Sequence, residues 1–448
     1  MKKIWIVFTC LAFTACNKFL DEKNDKKLVI PATLTDLQAV LDNTNTIVLN
    51  DPYADELSSD NFYLTTAVWQ AQPDYDRGFY IWQKDNDNVP NPNDWSNLYR
   101  KVYCANTVLE TLTNIERSAN NKTEWDNLKG QALMIRGKAF LQAVLLWSPA
   151  YDAATAGAEL GIPLRLSSDF AETSTRPSVQ QSFDQVIADL TASVALLPNR
   201  GVAVNRSCKA AAYGLLSRCY LYMRQYNKAG LYADSSLQIN NALLNYNTLS
   251  TTATYSLPLP ATNPEIDVYC TAFTSSLAMT NAKIDTILYN SYNANDYRKT
   301  ILFKINSDGS IAFKGSHTGA AGHFTGVASD EMYLNRAECF ARGGNTAAAM
   351  NYINSLLKMR YKTNLFAPLA ASSSAEALDI ILKERRKELI QRGLRWMDIK
   401  RLNKEGAGIV QKRIINNAQY LLPANDLRYA LQIPAYVISL SGMPQNAR

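Results

Sequence analysis

One stretch of the sequence recurs, and this repetition constrains the fold more than any other feature. The segment LLSRCYLYMRQYNKAGLY, which begins at Leu215, aligns without gaps with YLNRAECFARGGNTAAAM, which begins at Tyr333. The offset is 118 residues, and the identical pairs are Leu216 and Leu334, Arg218 and Arg336, Arg224 and Arg342, Asn227 and Asn345, and Ala229 and Ala347. Each copy predicts a helix, a tight polar turn and a second helix with small alanines facing inward, as in a tetratricopeptide-like unit.

Helical patterns extend well beyond these two copies. A third, shorter copy, LMIRGKAF, keeps the spacing of Arg136 and Phe140. Apolar residues spaced by three and four predict further helices, which cover residues 33–42, 95–112, 124–147, 179–197, 207–225 and 227–244. Asp94 is predicted to cap the second of these. The chain is therefore predicted to be mostly α-helical.

The C-terminal third contains a second group of helix signals. Ser373 and Glu376 form a candidate capping box, and Gly393 is placed to end that helix before a shorter one restarts near Trp396. The run from Lys383 to Glu388 (KERRKE) is interpreted as a partly solvated helix face with ion pairs four residues apart.

Two long polar stretches interrupt the helices. Residues 44–94 are rich in Asn, Asp and Pro, and residues 250–326 are rich in Ser, Thr, Asn, Gly and Tyr. Both are predicted to be loops. Within the second, ILFKINSDGSIAFKG has two apolar runs that flank Asp308-Gly309, which predicts a small β-hairpin.

The first residues predict the compartment. Lys2 and Lys3 precede a charge-free run from Ile4 to Ala15, which suits a signal-peptide core and is too short to span a bilayer. The string FTAC, which ends at Cys16, looks like a lipobox. We therefore expect a signal peptide over residues 1–15, acylation of Cys16 and a polar tether over residues 16–32.

Charge and cysteine content exclude several classes of protein. Without residues 1–15, 433 residues remain with a net charge of +4 and both signs interspersed, so no nucleic-acid partner is expected. Five irregularly spaced cysteines remain besides Cys16, without a CxxC pair, and we expect them to be small buried hydrophobes. They are Cys104, Cys208, Cys219, Cys270 and Cys339. No later run approaches twenty apolar residues, so no membrane span is expected.

No motif in the sequence supports catalysis or a metal centre. The only two histidines, His317 and His323, lie six residues apart in a Gly-rich segment, and the nearest following carboxylate is Asp330. A zinc site needs at least a third ligand, so we predict no metal. Phosphate-loop and nucleophile-elbow patterns are absent from the sequence, and acid pairs for glycoside hydrolysis cannot be judged by counting. The chain is predicted not to be an enzyme.

Sugar binding calls for different residues. An aromatic ring can cover the apolar face of a pyranose, while Asn, Asp, Gln and Arg can bond its hydroxyls. Trp95, Tyr99, Trp147 and Trp396 have helical core spacing and are predicted to be buried. The candidate ligand contacts are therefore loop aromatics beside polar residues. They are Trp69 and Tyr75 in WQAQPDYDR, and Tyr289 and Tyr292 in YNSYNANDYR, with the segment around His323 and Phe324 as the next candidate.

The order of these segments resembles the SusD/RagB family of outer-membrane nutrient-binding lipoproteins. The resemblance rests on CNKFLDEKNDK after the lipobox, TLTDLQAVLDN, WSNLYRKVYCANTVLE, DEMYLNRAECFARGGN and KERRKELIQRGLRWMDIKRLN, and it covers nearly the whole chain from Cys16 to about Asn403. It implies four tetratricopeptide-like helix pairs with a loop-rich region packed against them. It also implies a partner, a SusC-like TonB-dependent barrel, but it fixes no ligand-binding residue.

These inferences give one domain plan and one leading function. A single body is expected over residues 33–448, with a helical scaffold over about 94–245 and 328–403 and a loop-rich ligand region over about 44–93 and 250–327.

The leading functional hypothesis is a cell-surface lipoprotein of the outer membrane that captures nutrient for the transporter. The nutrient expected first is oligosaccharide, and no cofactor is expected. The alternatives are capture of peptide or another nutrient, a surface enzyme acting on glycans, and a repeat scaffold that binds only protein.

Overall fold

Seventeen α-helices supply most of the regular structure in residues 31–448, the part of the chain that the computed structural model describes. In chain order they begin with α1 (Leu34–Leu41), α2 (Thr44–Ile47), α3 (Ala54–Leu57), α4 (Thr66–Gln70), α5 (Asp74–Tyr80), α6 (Asp94–Leu112), α7 (Lys122–Trp147), α8 (Val179–Leu196) and α9 (Lys209–Tyr222). They continue with α10 (Tyr226–Ile239), α11 (Thr286–Asn290), α12 (Arg298–Ile301), α13 (Ser329–Arg342), α14 (Thr346–Lys358), α15 (Ser374–Glu388), α16 (Arg395–Asn403) and α17 (Ala435–Ser441). The mostly α-helical fold class is confirmed. The predicted signal peptide and Cys16 lie outside the described residues.

Ten short strands form five antiparallel two-stranded sheets in the same part of the chain. The strands are β1 (Phe62–Tyr63), β2 (Ile266–Val268), β3 (Thr271–Ala272), β4 (Lys283–Ile284), β5 (Phe303–Ile305), β6 (Ile311–Phe313), β7 (His323–Phe324), β8 (Val327–Ala328), β9 (Gln411–Ile415) and β10 (Ala418–Leu422). The predicted hairpin is confirmed, because β5 pairs with β6 and Gly309 takes the positive φ of +77° that its turn requires. Strand β1 pairs with β4, so the two polar stretches of the sequence lie side by side.

The long helices form a stack. Eight described helices have 13 residues or more, the number that four pairs require. Helices α6, α7, α8, α9, α10, α13 and α14 each pack against the next, and α15 packs on α13. The largest apolar core lies along α7 to α10, where Phe140, Leu215 and Leu216 are fully enclosed.

The repeat exists in the structure, but its register differs by two residues from the one that sequence identity predicts. The turns of the two copies match when Arg224 is paired with Gly344, an offset of 120, because both residues have positive φ and their flanking hydrogen bonds correspond. In this register buried Ala229 matches buried Ala349, whereas Ala347 is exposed. The predicted inward position of Ala347 and the equivalence of Arg218 with Arg336 are therefore wrong.

Local signals at helix ends are only partly confirmed. Helix α6 is capped by Asn93 in a capping box with Ser96, while the Asp94 carboxylate accepts hydrogen bonds from Tyr53 and Ala54 N–H groups at 3.0 Å. Ser373 does cap α15, but no reciprocal box forms, because the Glu376 carboxylate accepts from the N–H of Ser372 instead.

Two further expectations about elements are corrected. Helix α15 ends at Glu388, so Gly393 lies in the connection to α16 rather than at the end of α15. The φ of Gly393 is +69°, and a Cβ added there would lie 2.8 Å from a carboxylate oxygen of Asp55, so this position favours glycine. Residues 44–94 are not purely loop, because they contain the short helices α2 to α5.

The KERRKE run is mostly buried rather than solvated, although Lys383 is exposed and pairs with Asp379 four residues before it. Arg298, itself fully buried, pairs with Glu384 at 2.6 Å and Glu388 at 2.9 Å, and Arg385 pairs with Asp398 at 2.8 Å. A buried charge is tolerated only when it is paired and hydrogen-bonded, and here each acid meets a guanidinium from another segment. This network joins α15 to the loop-rich region.

Most of the predicted core aromatics and cysteines are buried as expected, and Tyr99 and Cys104 are the exceptions. Trp95, Trp147 and Trp396 are buried, and Tyr99 is half-buried with its hydroxyl donating to the Pro163 carbonyl at 2.8 Å. The five described cysteines are free thiols, all buried except half-buried Cys104. None of the helices in residues 31–448 has both the length and the apolar character needed to cross a bilayer.

Candidate functional site

A cavity of about 490 Å³ lies between α6, the segment of residues 163–174 and α17. We call it the aromatic groove. Its lining combines five aromatic rings with amide, hydroxyl and guanidinium groups. The lining residues are Trp95, Tyr99, Val102, Tyr103, Asn106, Pro163, Arg165, Ser167, Ser168, Phe170, Ala171, Glu172, Thr173, Ser174, Tyr436, Val437, Leu440, Ser441 and Met443.

The rings of the groove form two stacked pairs. Trp95 and Tyr99 stack with their centroids 4.7 Å apart, one helical turn apart on α6, and the edge of Trp147 supports Trp95 from behind at 5.1 Å. Tyr103, a further turn along α6, stacks with Phe170 at 4.8 Å across the groove. Tyr103 is 38% exposed and Phe170 is 82% exposed, so this second pair offers ring surface to a ligand.

The wall opposite α6 is fixed by hydrogen bonds to helix side chains. The Asn106 side-chain NH₂ group donates to the carbonyls of Arg165 and Ser167, each at 3.0 Å. Its Oδ1 accepts from Arg136 at 2.9 Å, and Arg136 in turn forms a two-point pair with Asp189 on α8. The wall is therefore held by the helical stack and not only by its own turn structure.

The third side of the groove is attached to this wall through Arg176. Its guanidinium donates to the Gly161 carbonyl at 2.8 Å, the Pro444 carbonyl at 2.9 Å and the side chain of Asn446 at 2.8 Å. Because burial disfavours its charged form, the pKa of Arg176 falls to about 10. One buried cation thus joins the segment before α8 to the segment that follows α17.

The lining suits a ligand with apolar faces and many hydroxyl groups. Exposed rings can cover the C–H face of a pyranose, and hydroxyl groups of the wall can bond its rim. The cavity also lies in the volume range of ordinary small-ligand sites.

Two of the four aromatics predicted from the sequence lie in the first polar stretch, and both are half-buried. The Trp69 indole N–H donates to the Arg77 carbonyl at 3.2 Å, and the Arg77 guanidinium lies 5.6 Å from the Trp69 ring centroid. Burial raises the pKa of the Tyr75 hydroxyl, and the charge of Asp76 adds to the effect. Neither ring lines the aromatic groove, and both remain candidate ligand contacts.

The other two aromatics lie in the second polar stretch. Tyr289 is half-buried and meets the Phe303 ring edge-on at 5.4 Å. Tyr292 is only 2% exposed, its hydroxyl donates to the Lys387 carbonyl at 2.8 Å, and its ring packs on Phe303. The expectation that a polar loop exposes Tyr292 is wrong, because that loop folds back onto α15. Trp69 and Tyr289 nevertheless border the same apolar cluster.

The histidine segment contains a group that could be taken for a metal site. Ligand atoms of Glu265, His317 and Asp330 lie within 4.8 Å of one another, and all three residues are buried. However, Glu265 pairs with Arg360 at 2.7 Å, and Asp330 pairs with Arg392 at 2.6 Å. The guanidiniums of Arg360 and Arg392 already neutralise the two carboxylates. The cluster of Glu265, His317 and Asp330 therefore fits an internal ion network better than a cation site.

The pKa values in this network follow from the same contacts. Burial is the largest single influence and would raise the pKa of Glu265, but the charge of Arg360 and the hydrogen bond from His317 together outweigh it and the pKa is lowered. For Asp330 the effect of burial on the pKa is likewise outweighed, by Arg392 together with His317 and Arg360. His323 lies apart from the network, and burial lowers its pKa to about 4. His323 is not part of the three-residue group, so the described residues do not bring both histidines together with a third ligand.

The aromatic groove was not predicted from the sequence. Its lining comes from segments centred near residues 100, 168 and 440, and its most exposed ring, Phe170, lies in a stretch that gave no pattern. The one available signal was the helical spacing of Trp95, Tyr99 and Tyr103. That spacing predicts a shared helix face, which here is a groove wall as well as core.

Comparison with known proteins gives consistent matches. A family model described as "Starch-binding associating with outer membrane" matches residues 18–221, and the model of the SusD family matches residues 330–432, together well over half of the chain. None of the curated proteins compared with the chain is significantly similar to it.

Solved structures from three Bacteroides proteins share the fold. A candidate sugar-binding protein from Bacteroides vulgatus is 24% identical with a TM-score of 0.76, over 94% of this chain and 99% of its own. A SusD superfamily protein from Bacteroides thetaiotaomicron is 21% identical with a TM-score of 0.76, over 93% and 100%. A SusD-like carbohydrate-binding protein from Bacteroides vulgatus is 20% identical with a TM-score of 0.68, over 92% and 97%.

Proposed function

The chain belongs to the SusD/RagB family, and from that premise we propose that it is a cell-surface lipoprotein of the outer membrane that captures oligosaccharide. The observation that carries the proposal is the aromatic groove, where the exposed Tyr103–Phe170 pair lies among hydroxyl-bearing side chains. We propose that this groove holds the glycan. Trp69, Tyr75 and Tyr289 form the alternative site.

Binding without catalysis is favoured by the chemistry of the lining. Among the residues that line the groove only Glu172 carries a carboxylate, and it is exposed. Glycoside hydrolysis ordinarily uses two carboxyl groups on opposite sides of the scissile bond. The groove therefore has the groups for holding a sugar but lacks the acid pair for cleaving one.

The test is calorimetry on the full-length chain in detergent with a panel of oligosaccharides and short peptides. Tyr103→Ala and Phe170→Ala should each weaken glycan binding by about two- to tenfold, the effect of losing one ring contact. The matched control is Phe273→Ala, which removes a ring that is 59% exposed elsewhere on the surface.

Each outcome of this panel has a clear meaning. If the groove variants bind like the parent while alanine at Trp69, Tyr75 or Tyr289 weakens binding, the site lies in the polar stretches. Binding of peptides in place of glycans would refute the carbohydrate part of the proposal and leave nutrient capture standing. Release of shortened sugars would favour the glycan-active enzyme instead.

Delivery to a SusC-like TonB-dependent transporter is the second half of the proposal, and family membership supports it. The test is to purify the tagged chain from outer membranes and to identify what accompanies it by mass spectrometry. A SusC-like barrel in equal amount is expected. A chain that is purified without any barrel, although its glycan binding is intact, would refute delivery without affecting capture.

A further inference from the structure

A second groove, of about 720 Å³, lies between the C-terminal half of α14, the segment of residues 362–368 and the turn at residues 245–247. We call it the amide groove. It shares no lining residue with the aromatic groove. Its lining differs in character as well, because it has five asparagines, two lysines and one aromatic ring, and no carboxylate.

The two lysines make the amide groove electropositive. Lys358 is exposed at the end of α14, and Lys362 is half-buried one turn further along the chain. Neither pairs with a carboxylate among residues 31–448, whereas Lys383, an exposed lysine on α15, pairs with Asp379 at 2.6 Å. The nearby cation Arg360 is already neutralised by Glu265 and Glu388. Two uncompensated charges therefore border the groove, one on α14 and one on the segment of residues 362–368.

The amides and the ring supply the other contacts that a sugar needs. Within the described residues, the side chains of Asn351 and Asn364 form no hydrogen bond, so both are available to hydroxyl groups. Phe366 is half-buried, with the Tyr361 ring behind it at 5.2 Å, and can cover an apolar sugar face. This combination differs from an ordinary lysine-rich surface, where amides and a supported ring are not gathered around a cavity.

We propose that the amide groove is a second binding site, for an oligosaccharide segment that carries an anionic group, either carboxylate or sulfate. A lysine ammonium recognises either group as a compact charge, and asparagine amides bond the neighbouring hydroxyls. The proposal goes beyond the function proposed above, because it assigns a separate site and a charged class of ligand.

The experiment uses three probes of equal length on the full-length chain in detergent: an oligogalacturonide, a sulfated oligosaccharide and a neutral maltooligosaccharide. The test variant is Lys358→Glu combined with Lys362→Glu. The control is Lys122→Glu combined with Lys304→Glu, two exposed lysines outside either groove that change the net charge equally. The test variant should weaken binding of an anionic probe by about tenfold or more, while the control binds like the parent.

Which anionic probe binds distinguishes carboxylate from sulfate. The proposal is overturned if neither anionic probe binds, if both double variants lose binding equally, or if the test variant binds like the parent. Maltooligosaccharide binding should be the same in both variants. If the Tyr103→Ala and Phe170→Ala variants lose maltooligosaccharide binding but still bind the anionic probe, the two sites are separate.

Discussion

Helix α14 offers a sharp test of the repeat register, because two alanines two residues apart have opposite environments. Ala349 is fully buried in the core cluster formed with Leu334, Ala337 and Ile353, whereas Ala347 is exposed. Replacing Ala349 with leucine adds three carbon atoms to a closed contact, and such overpacking costs about 1–3 kcal/mol. The same change at Ala347 places those atoms in solvent, and leucine and alanine differ little in helix propensity, so the cost should be under about 0.5 kcal/mol.

The measurement is urea unfolding followed by circular dichroism, with the unfolding free energies of Ala347→Leu, Ala349→Leu and the parent compared at a common slope. The companion change Ala229→Leu, at the matching buried site on α10, should behave like Ala349→Leu. The reasoning is refuted if Ala347→Leu is as destabilising as Ala349→Leu, because the offset of 118 would then describe the packing better than the offset of 120.

Three further predictions address the groove wall, a buried acid and the anchor. Asn106→Ala removes three hydrogen bonds and leaves Arg136 short of an acceptor, so the unfolding free energy should fall by about 2–4 kcal/mol. Glycan affinity should fall as well, because the groove wall loses its support. Unchanged glycan affinity would refute the role of the wall. Burial raises the pKa of Asp94 to about 7 from an unfolded value of about 4, so its ionisation opposes folding increasingly between those pH values. The stability gained by Asp94→Asn, measured by urea unfolding at a series of pH values, should grow from pH 4 to pH 7 and then level off, and a gain that does not change with pH would contradict the argument. Cys16→Ser should abolish fatty-acid labelling and release the chain from membranes, and persistent label would contradict lipidation at that residue.

The long helices could be predicted from the sequence because their apolar spacing is dictated by burial of one face. Five predicted helices begin and end within three residues of the observed bounds, namely α1, α6, α7, α8 and α9. The repeat register could not be predicted in the same way. It is fixed by the turn, where Arg224 has a φ of +59°, a conformation that arginine rarely adopts and that gives no signal in the sequence.

Burial of the polar stretches was equally beyond local patterns. The segment around Tyr292 is rich in Asn and Asp, which favours solvent, yet Arg298 draws it inward by pairing with Glu384 and Glu388 on α15. These partners are about ninety residues away in the sequence. Composition therefore predicted an exposed ring where long-range ion pairs produce a buried one. The same partners explain why the two acids of the KERRKE run are buried while Lys383 stays exposed.

The arginine of the shortest repeat copy shows how the scaffold reaches the candidate site. Arg136 donates to Asn106 Oδ1, and an amide that presents its oxygen to a guanidinium must turn its NH₂ group the other way. The NH₂ group of Asn106 therefore points toward the carbonyls of Arg165 and Ser167. Because Asp189 holds the Arg136 guanidinium in place, this ion pair fixes the orientation of the Asn106 amide against the wall. Arg218, in the next copy, instead pairs with Glu331 inside the stack. Arginines that align in the sequence thus take different roles, because Arg218 supports the stack while Arg136 positions the groove wall.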